Sequence, residues 1–244
     1  MTDYLSRLYE DEQFQMAAED TLRPGGLELT RKAMGIAGFP VDSRILDIGC
    51  GCGKTVELLI KDYGMQAMGI DISEKLIQKA KSQNNALEVQ VGDVYDLPYA
   101  DQSLNGIFCE CTFSLFADKP LALAQINRVL LPGGKLIVSD LYLREKTGEC
   151  SGLPMITSVD GIATRDVLLT EFTAAGFKLD AWQDETTVYK EFIAGLIMKY
   201  GSLSLFWESI LGTCEKAYSV KESMKTAKIG YCLSVWEKIN LPNL

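Results

Sequence analysis

Three alternating glycines are the part of this sequence best suited to holding a ligand. Gly49, Gly51 and Gly53 stand at every second position after the short apolar run 44–48. Because glycine has no Cβ, such a backbone can turn sharply and approach a ligand closely. A helical pattern over 54–63 follows the glycines. A ligand at this turn would therefore lie at a helix N-terminus.

Acidic residues follow three further apolar runs. Asp71 closes the run 66–70 and stands 18 residues beyond Gly53, while Asp93 follows the alternating run 87–91. An ionised carboxylate offers two acceptor oxygens, so an acid at the end of a second parallel strand can accept both hydroxyl hydrogens of a ribose. Glu110 closes a fourth apolar run, at the strand end where a reacting centre is expected.

Two known ligand loops do not fit the glycine spacing. A phosphate loop needs a glycine where this chain has Ile48. The dinucleotide fingerprint needs a glycine where this chain has Lys54. The pattern that remains is acid-x-Gly-x-Gly-x-Gly, beginning at Asp47.

This pattern, with its acidic companions in order, resembles motif I and the following motifs of the class I S-adenosylmethionine (SAM) dependent methyltransferases. The resemblance implies that the glycine turn holds the methionine part and ribose of SAM, that Asp71 binds the ribose, and that Asp93 with Val94 binds the adenine. It also places Asp47 near the amino group of SAM. The cofactor-binding residues predicted in this way are Asp47, Gly49, Cys50, Gly51, Gly53, Asp71, Ile72, Asp93, Val94 and Glu110. The sequence predicts no particular catalytic residue and no metal ligand.

The elements that must position these residues follow the same family order over about 40–183. A helix over 121–131, a Pro-Gly-Gly break, a strand over 135–140 and a helix over 168–177 are all indicated. The alternating run 229–238 predicts a final antiparallel strand. The resemblance implies an α/β fold: a Rossmann-like seven-stranded sheet with helices on both faces and a helical insertion before the last strand.

Four regions are expected. Residues 1–38 form an N-terminal helical lid, 39–185 the SAM-binding core, 186–228 a helical cap or dimer insertion, and 229–244 the final strand and C-terminus. Tyr9 and Arg23 are the polar lid candidates, although a packed aromatic ring and a solvated arginine are the favoured interpretations. Glycines interrupt the insertion at Gly201 and Gly212.

Composition excludes several classes of function. The chain has 244 residues, a net charge of −9 and no histidine, so a polyanionic nucleic acid would be repelled and histidine-based hydrolase or metal chemistry is impossible. No apolar stretch reaches the ~18 residues of a membrane span, and the N-terminus lacks a signal pattern. We therefore expect a cytoplasmic protein that contacts neither membranes nor nucleic acids.

The seven cysteines do not suggest a disulfide framework. Cys50 and Cys52 follow the first strand, whereas Cys109 and Cys111 end the fourth. Because these strands are neighbours in the resembling fold, four sulfurs could bind a soft metal or metalloid. Packing beside tight turns is the favoured role, since small buried cysteines commonly pack in this way.

The function that these observations predict is SAM-dependent methylation of a small-molecule acceptor, with a homodimer as a possible assembly. The run Glu110-Cys111-Thr112-Phe113 stands where base N-methyltransferases have Asn/Asp-Pro-Pro-Tyr, and the resemblance extends to the group that includes quinone-biosynthesis methyltransferases. Alternatives are a non-catalytic SAM-binding sensor or partner subunit, a thiol-assisted metalloid methyltransferase, and a nicotinamide oxidoreductase. The sequence does not predict which atom of the acceptor receives the methyl group.

Overall fold

The strands form one sheet in a computed structural model that describes residues 9–10, 21, 23–145, 162–215 and 228–239. The strands are β1 Arg44–Ile48, β2 Gln66–Asp71, β3 Val89–Val91, β4 Leu104–Glu110, β5 Leu130–Leu143, β6 Phe177–Asp184 and β7 Ile229–Lys238. The helices are α1 Gly26–Ala37, α2 Lys54–Tyr63, α3 Glu74–Gln83, α4 Lys119–Val129, α5 Arg165–Ala174, α6 Thr186–Tyr200 and α7 Leu203–Leu211. Tyr9 and Glu10 are also helical.

The strand order is β3-β2-β1-β4-β5-β7-β6. Strands β1 to β5 pair in parallel, whereas β7 runs antiparallel between β5 and β6. The order reverses between β1 and β4, and ligands of open α/β sheets bind in the crevice at the carboxyl ends of the strands at such a reversal. The topology therefore brings the ends of β1, β2 and β4 to one candidate site.

Helices cover both faces of the sheet. Buried side chains of α4 and α5 form a core on one face, where the rings of Phe172 and Trp236 stack at 4.3 Å. Buried side chains of α1, α2 and α3 form the second core on the other face. The predicted seven-stranded α/β sheet with an antiparallel last strand and a preceding helical insertion is confirmed.

The local starts and stops follow the sequence closely in several places. Helix α2 and strand β7 have the predicted bounds. The hydroxyl of Ser73 accepts a hydrogen bond from the amide of Leu76 at 3.2 Å and so caps the N-terminus of α3. Helices α6 and α7 end at Gly201 and Gly212 as expected.

Other bounds differ from the prediction for identifiable reasons. Helix α4 begins earlier, since the carboxylate of Asp118 caps it by accepting from the amide of Leu121 at 2.9 Å. It also ends earlier, because Leu130 already pairs with Leu104 in the sheet. Phe177 opens β6 rather than closing α5. Residues 1–8, 11–20 and 22 of the predicted N-terminal lid and the connection 146–161 lie outside the described residues.

The insertion between β6 and β7 buries part of its apolar surface. Among its apolar side chains, Leu196, Phe206 and Trp207 are buried, while Phe192 and Leu203 are half-buried. Met198 on α6 remains 87% exposed. None of the helices in the described ranges has the length and apolar character needed to cross a bilayer.

Candidate functional site

A cavity of about 1100 Å³, counting its open mouth, lies at the carboxyl ends of β1, β2 and β4. Eight of the ten predicted cofactor residues line it, namely Gly49, Cys50, Gly51, Asp71, Ile72, Asp93, Val94 and Glu110. The fold therefore brings together residues from the ends of four strands, β1 to β4, as the sequence order suggested.

The glycine turn forms one wall of the cavity. Gly49 has a φ of 77°, and a Cβ there would lie 2.4 Å from the hydroxyl of Thr112, so only glycine fits between the ends of β1 and β4. Gly51 has a φ of 52°, but a Cβ there would meet nothing within 4 Å. The turn is closed on the β4 side and has free space at its middle glycine.

Asp71 is anchored to this turn. One carboxylate oxygen accepts from the amide of Gly51 at 2.9 Å, and the other accepts from the amide of Ser73 at 2.8 Å. Burial raises the pKa of Asp71, although these amide hydrogen bonds oppose the shift. Each oxygen accepts one bond and can accept more, so a vicinal diol could still be bound.

Two further predicted cofactor residues, Asp93 and Ile72, lie at the open rim of the cavity. Asp93 is exposed, and its carboxylate accepts from the amide of Tyr95 at 3.1 Å. Ile72 is 45% exposed on the cavity wall, so it offers apolar surface to a ligand.

Asp47 and Gly53 do not line the cavity. Asp47 is only 4% exposed and lies behind the wall. Burial raises its pKa well above the usual value, the charge of Glu110 adds to this effect, and Arg23 opposes it. Gly53 is the N-cap of α2 and faces Leu87. Contact of these two residues with a cofactor stays a prediction.

A buried ion pair joins the segment before α1 to the end of β4. Arg23 Nη2 lies 2.8 Å from Glu110 Oε2, with side-chain exposures of 8% and 3%. The hydroxyl of Thr30 donates to Glu110 Oε1 at 2.9 Å, and that of Thr55 donates to Oε2 at 2.8 Å. Arg23 also donates to both hydroxyls, at 2.7 and 2.9 Å. One carboxylate thus ties together four chain segments.

The interpretation of Arg23 as a solvated arginine is wrong. Burial disfavours its cation, but the charges of Glu110 and Asp47 raise its pKa on balance. Its position directly before Pro24 and two glycines, ahead of a helix, was the available signal, because a turn there can direct the side chain inward. Tyr9 and Thr21 join Arg23 on the cavity wall.

The N-terminal side of the cavity is fastened to α3. The hydroxyl of Ser73 donates to the carboxylate of Glu10 at 2.6 Å, and Lys75 Nζ donates to the carbonyl of Glu10 at 2.9 Å. Burial strongly raises the pKa of the neighbouring Tyr9. These contacts place residues 9–10 against the side of the cavity that carries Asp71, while movement of this segment as a lid stays a prediction.

Cys111 marks the other end of the cavity. Its backbone has a φ of 53°, which is uncommon for a residue other than glycine, and its amide donates to the carbonyl of Ser139 at 2.7 Å. Its sulfur lies 3.1 Å from the hydroxyl of Tyr231. Burial raises the pKa of Cys111, so this side chain is a neutral thiol at physiological pH.

The four cysteines of interest do not converge. Cys50, Cys52 and Cys111 line the cavity, whereas Cys109 is buried in the core on the α4–α5 face. Within the described ranges, no cluster of three or more cysteine and acidic side chains is suited to hold a metal ion. The four-sulfur site is therefore not formed.

Comparisons with known proteins agree with this geometry. Residues 41–219 match the family described as "Methyltransferase domain". The O-methyltransferase cnsE of Penicillium expansum is 36% identical over 173 residues, covering 66% of this chain and 61% of that protein. The O-methyltransferase rstn1 of Aspergillus nomiae is 34% identical over 131 residues, covering 51% and 58%. The chain thus spans about three fifths of these curated relatives.

Solved structures share the fold at low identity. Phosphoethanolamine N-methyltransferase 2 of Haemonchus contortus with SAM has a TM-score of 0.77 at 18% identity, covering 98% of this chain and 60% of that one. The [4+2]-cyclase SpnF has a TM-score of 0.72 at 21% identity, covering 93% and 91%. The sheet order, the glycine turn with its anchored aspartate and the family match lead to one assignment. This chain belongs to the class I SAM-dependent methyltransferases.

Proposed function

We propose that this protein transfers the methyl group of SAM to a small-molecule acceptor. The observation that carries the proposal is the carboxylate of Asp71, which the amide of Gly51 holds on the wall of the cavity at the strand-order reversal. A ribose diol needs such an acceptor beside a backbone turn that leaves space, and Gly51 provides that space.

The residues present fit the cofactor. Asp71 would bind the ribose, the turn at Gly49 and Gly51 would border the methionine part, and Asp93 with Val94 would border the adenine. When bound, SAM supplies a methyl group already activated on a sulfonium. The protein's own contribution is therefore largely to position the acceptor and to exclude water.

The acceptor end of the cavity favours a small, uncharged or weakly polar partner. Cys111 presents a neutral thiol next to the hydroxyl of Tyr231, and the chain contains no histidine to act as a base. The net charge of −9 disfavours a nucleic-acid acceptor. Two O-methyltransferase relatives favour an oxygen as the methylated atom. A cytoplasmic location and a homodimer remain predictions.

Calorimetric titration with SAM, S-adenosylhomocysteine (SAH) and NAD tests the proposal. SAM and SAH should bind and NAD should not, and label from methyl-labelled SAM should appear in a small hydroxylated acceptor from a screened panel. Binding of NAD without SAM would contradict the assignment.

A second outcome deserves its own control, because a protein named as a cyclase shares this fold. If SAM binds but no label is transferred to any member of the panel, a non-methylating SAM-binding protein becomes the better description. Asp71→Asn supplies the matched binding-deficient variant for both measurements.

A further inference from the structure

One buried donor on the cavity wall has no protein partner. Arg23 Nη2 is occupied by Glu110, Thr30 and Thr55, and Nη1 donates to the carbonyl of Thr21 at 3.3 Å. The Nε of Arg23 is buried and makes no hydrogen bond. Because leaving a buried donor unsatisfied is costly, a ligand group that accepts at this position would relieve the cost.

The location of Arg23 indicates which part of a ligand it meets. Thr55, one of its partners, lies in the first turn of α2, directly after the glycine turn. Glu110, its ion-pair partner, ends β4 beside that turn. The ribose-binding Asp71 and the rim residue Asp93 belong to other strand ends. Arg23 therefore lies at the amino-acid end of the candidate site.

The charges at this end favour a carboxylate. A guanidinium matches the planar fork of a carboxylate, and its charge strengthens each hydrogen bond. Three donors already occupy the two oxygens of Glu110, from Thr30, Thr55 and Arg23. Glu110 is thus poorly placed to bind a ligand and well placed to hold Arg23.

We propose that Arg23 binds the carboxylate at the amino-acid end of the cofactor, and that Glu110 is a positioning residue that orients Arg23 for this contact. This inference rests on the proposed function, since it assumes a ligand with an amino-acid tail. According to this inference, Arg23 contacts the cofactor directly, whereas Glu110, predicted from the sequence as a cofactor contact, acts by holding Arg23 in place.

The test compares two ligands that differ in the amino-acid tail. SAH carries the tail, whereas 5′-methylthioadenosine keeps the nucleoside and the sulfur but lacks it. Arg23→Gln should weaken SAH binding about 10- to 100-fold, the effect of losing charge-assisted hydrogen bonds, and change methylthioadenosine binding less than about 3-fold. Calorimetry gives both dissociation constants. A merely structural role would weaken both ligands together.

Matched variants control for folding and for general charge. Arg31→Gln removes an arginine that is 39% exposed and pairs with Asp62 on the surface, so the preference for SAH should not change. Arg23→Lys keeps the charge without the fork and should give an intermediate preference for SAH. It also preserves the test if Arg23→Gln does not fold, as judged by circular dichroism.

The positioning role of Glu110 has a separate readout. Glu110→Gln should lower the preference for SAH over methylthioadenosine, because the guanidinium of Arg23 would lose the carboxylate that orients it. In protein that already carries Arg23→Gln, the same change should leave the preference unaltered, since Glu110 acts only through Arg23.

The outcomes are distinguishable. If the unaltered protein binds neither SAH nor methylthioadenosine, the proposed function itself fails. If it binds both, and Arg23→Gln and Arg23→Lys weaken both ligands equally or neither, the cofactor-binding proposal stands and the role of Arg23 is overturned. An SAH-specific loss in these variants supports the inference.

Discussion

The buried pair of Arg23 and Glu110 should make the folded state sensitive to loss of a single charge. Their side chains are 8% and 3% exposed, so Glu110→Gln would leave a buried guanidinium without its counter-ion. Breaking a buried pair in this way typically costs about 3–5 kcal/mol of unfolding free energy. For a chain of this size, each kcal/mol shifts Tm by about 2–4 °C, so a fall of roughly 6–20 °C is expected.

Thermal unfolding followed by circular dichroism, in ligand-free protein, measures this effect. The matched control is Asp62→Asn, which breaks the exposed pair with Arg31 and should leave Tm nearly unchanged. Adding Arg23→Met to Glu110→Gln removes the unpaired charge, so the double variant should be more stable than Glu110→Gln alone. A Tm for Glu110→Gln within a degree of the control, or a double variant that is less stable than either single one, would refute the reasoning.

Three further outcomes are expected. Asp71→Asn should weaken SAM binding about 10- to 100-fold in calorimetry, because hydrogen bonds to a charged group are each worth about 1.5–3 kcal/mol, and an unchanged affinity would remove Asp71 from the site. Burial raises the pKa of Asp47, Asp71 and Asp140 above the unfolded value of about 4, so native protein holds these protons more tightly. Stability should therefore be lost as pH rises through the raised pKa values, so Tm of ligand-free protein should be higher near about pH 5.5 than near about pH 8. Asp47→Asn should make this difference in Tm smaller. A Tm that rises toward pH 8 would contradict the expected direction. Met198→Lys should leave the oligomeric state in light scattering unchanged if α6 and α7 form a cap, whereas a change from dimer to monomer would show that they form a dimer face.

Much of the fold could be read from local patterns. Helix α2 and strand β7 have the predicted bounds because periodic apolar positions and flanking glycines determine where such elements start and stop. The strand-end positions of Asp71 and Glu110 followed from the same patterns, since parallel strands bring their carboxyl ends to one edge of the sheet.

What local patterns could not give was the pairing between distant segments. The residues adjacent to Arg23 in the sequence do not indicate that it pairs with Glu110, and arginine and glutamate side chains are usually solvated. The cysteines illustrate the same limit. Cys109 and Cys111 are two positions apart and would share a face along a regular strand, but Cys111 lies just beyond β4 with a φ of 53°, and the two side chains pack against different cores. Neighbouring strands were therefore insufficient to predict a shared sulfur site.

Glu110 shows how a correct location can accompany an incomplete role. The strand pattern placed it at the cavity, and the structure confirms that location. The Glu110 side chain is, however, only 3% exposed, and its carboxylate already accepts hydrogen bonds from three donors of the protein. A carboxylate that is already neutralised and hydrogen-bonded gains little from a ligand's ammonium, whereas its arginine partner retains an unfilled donor. The same physical argument that makes the pair sensitive to Glu110→Gln thus assigns the ligand contact to Arg23.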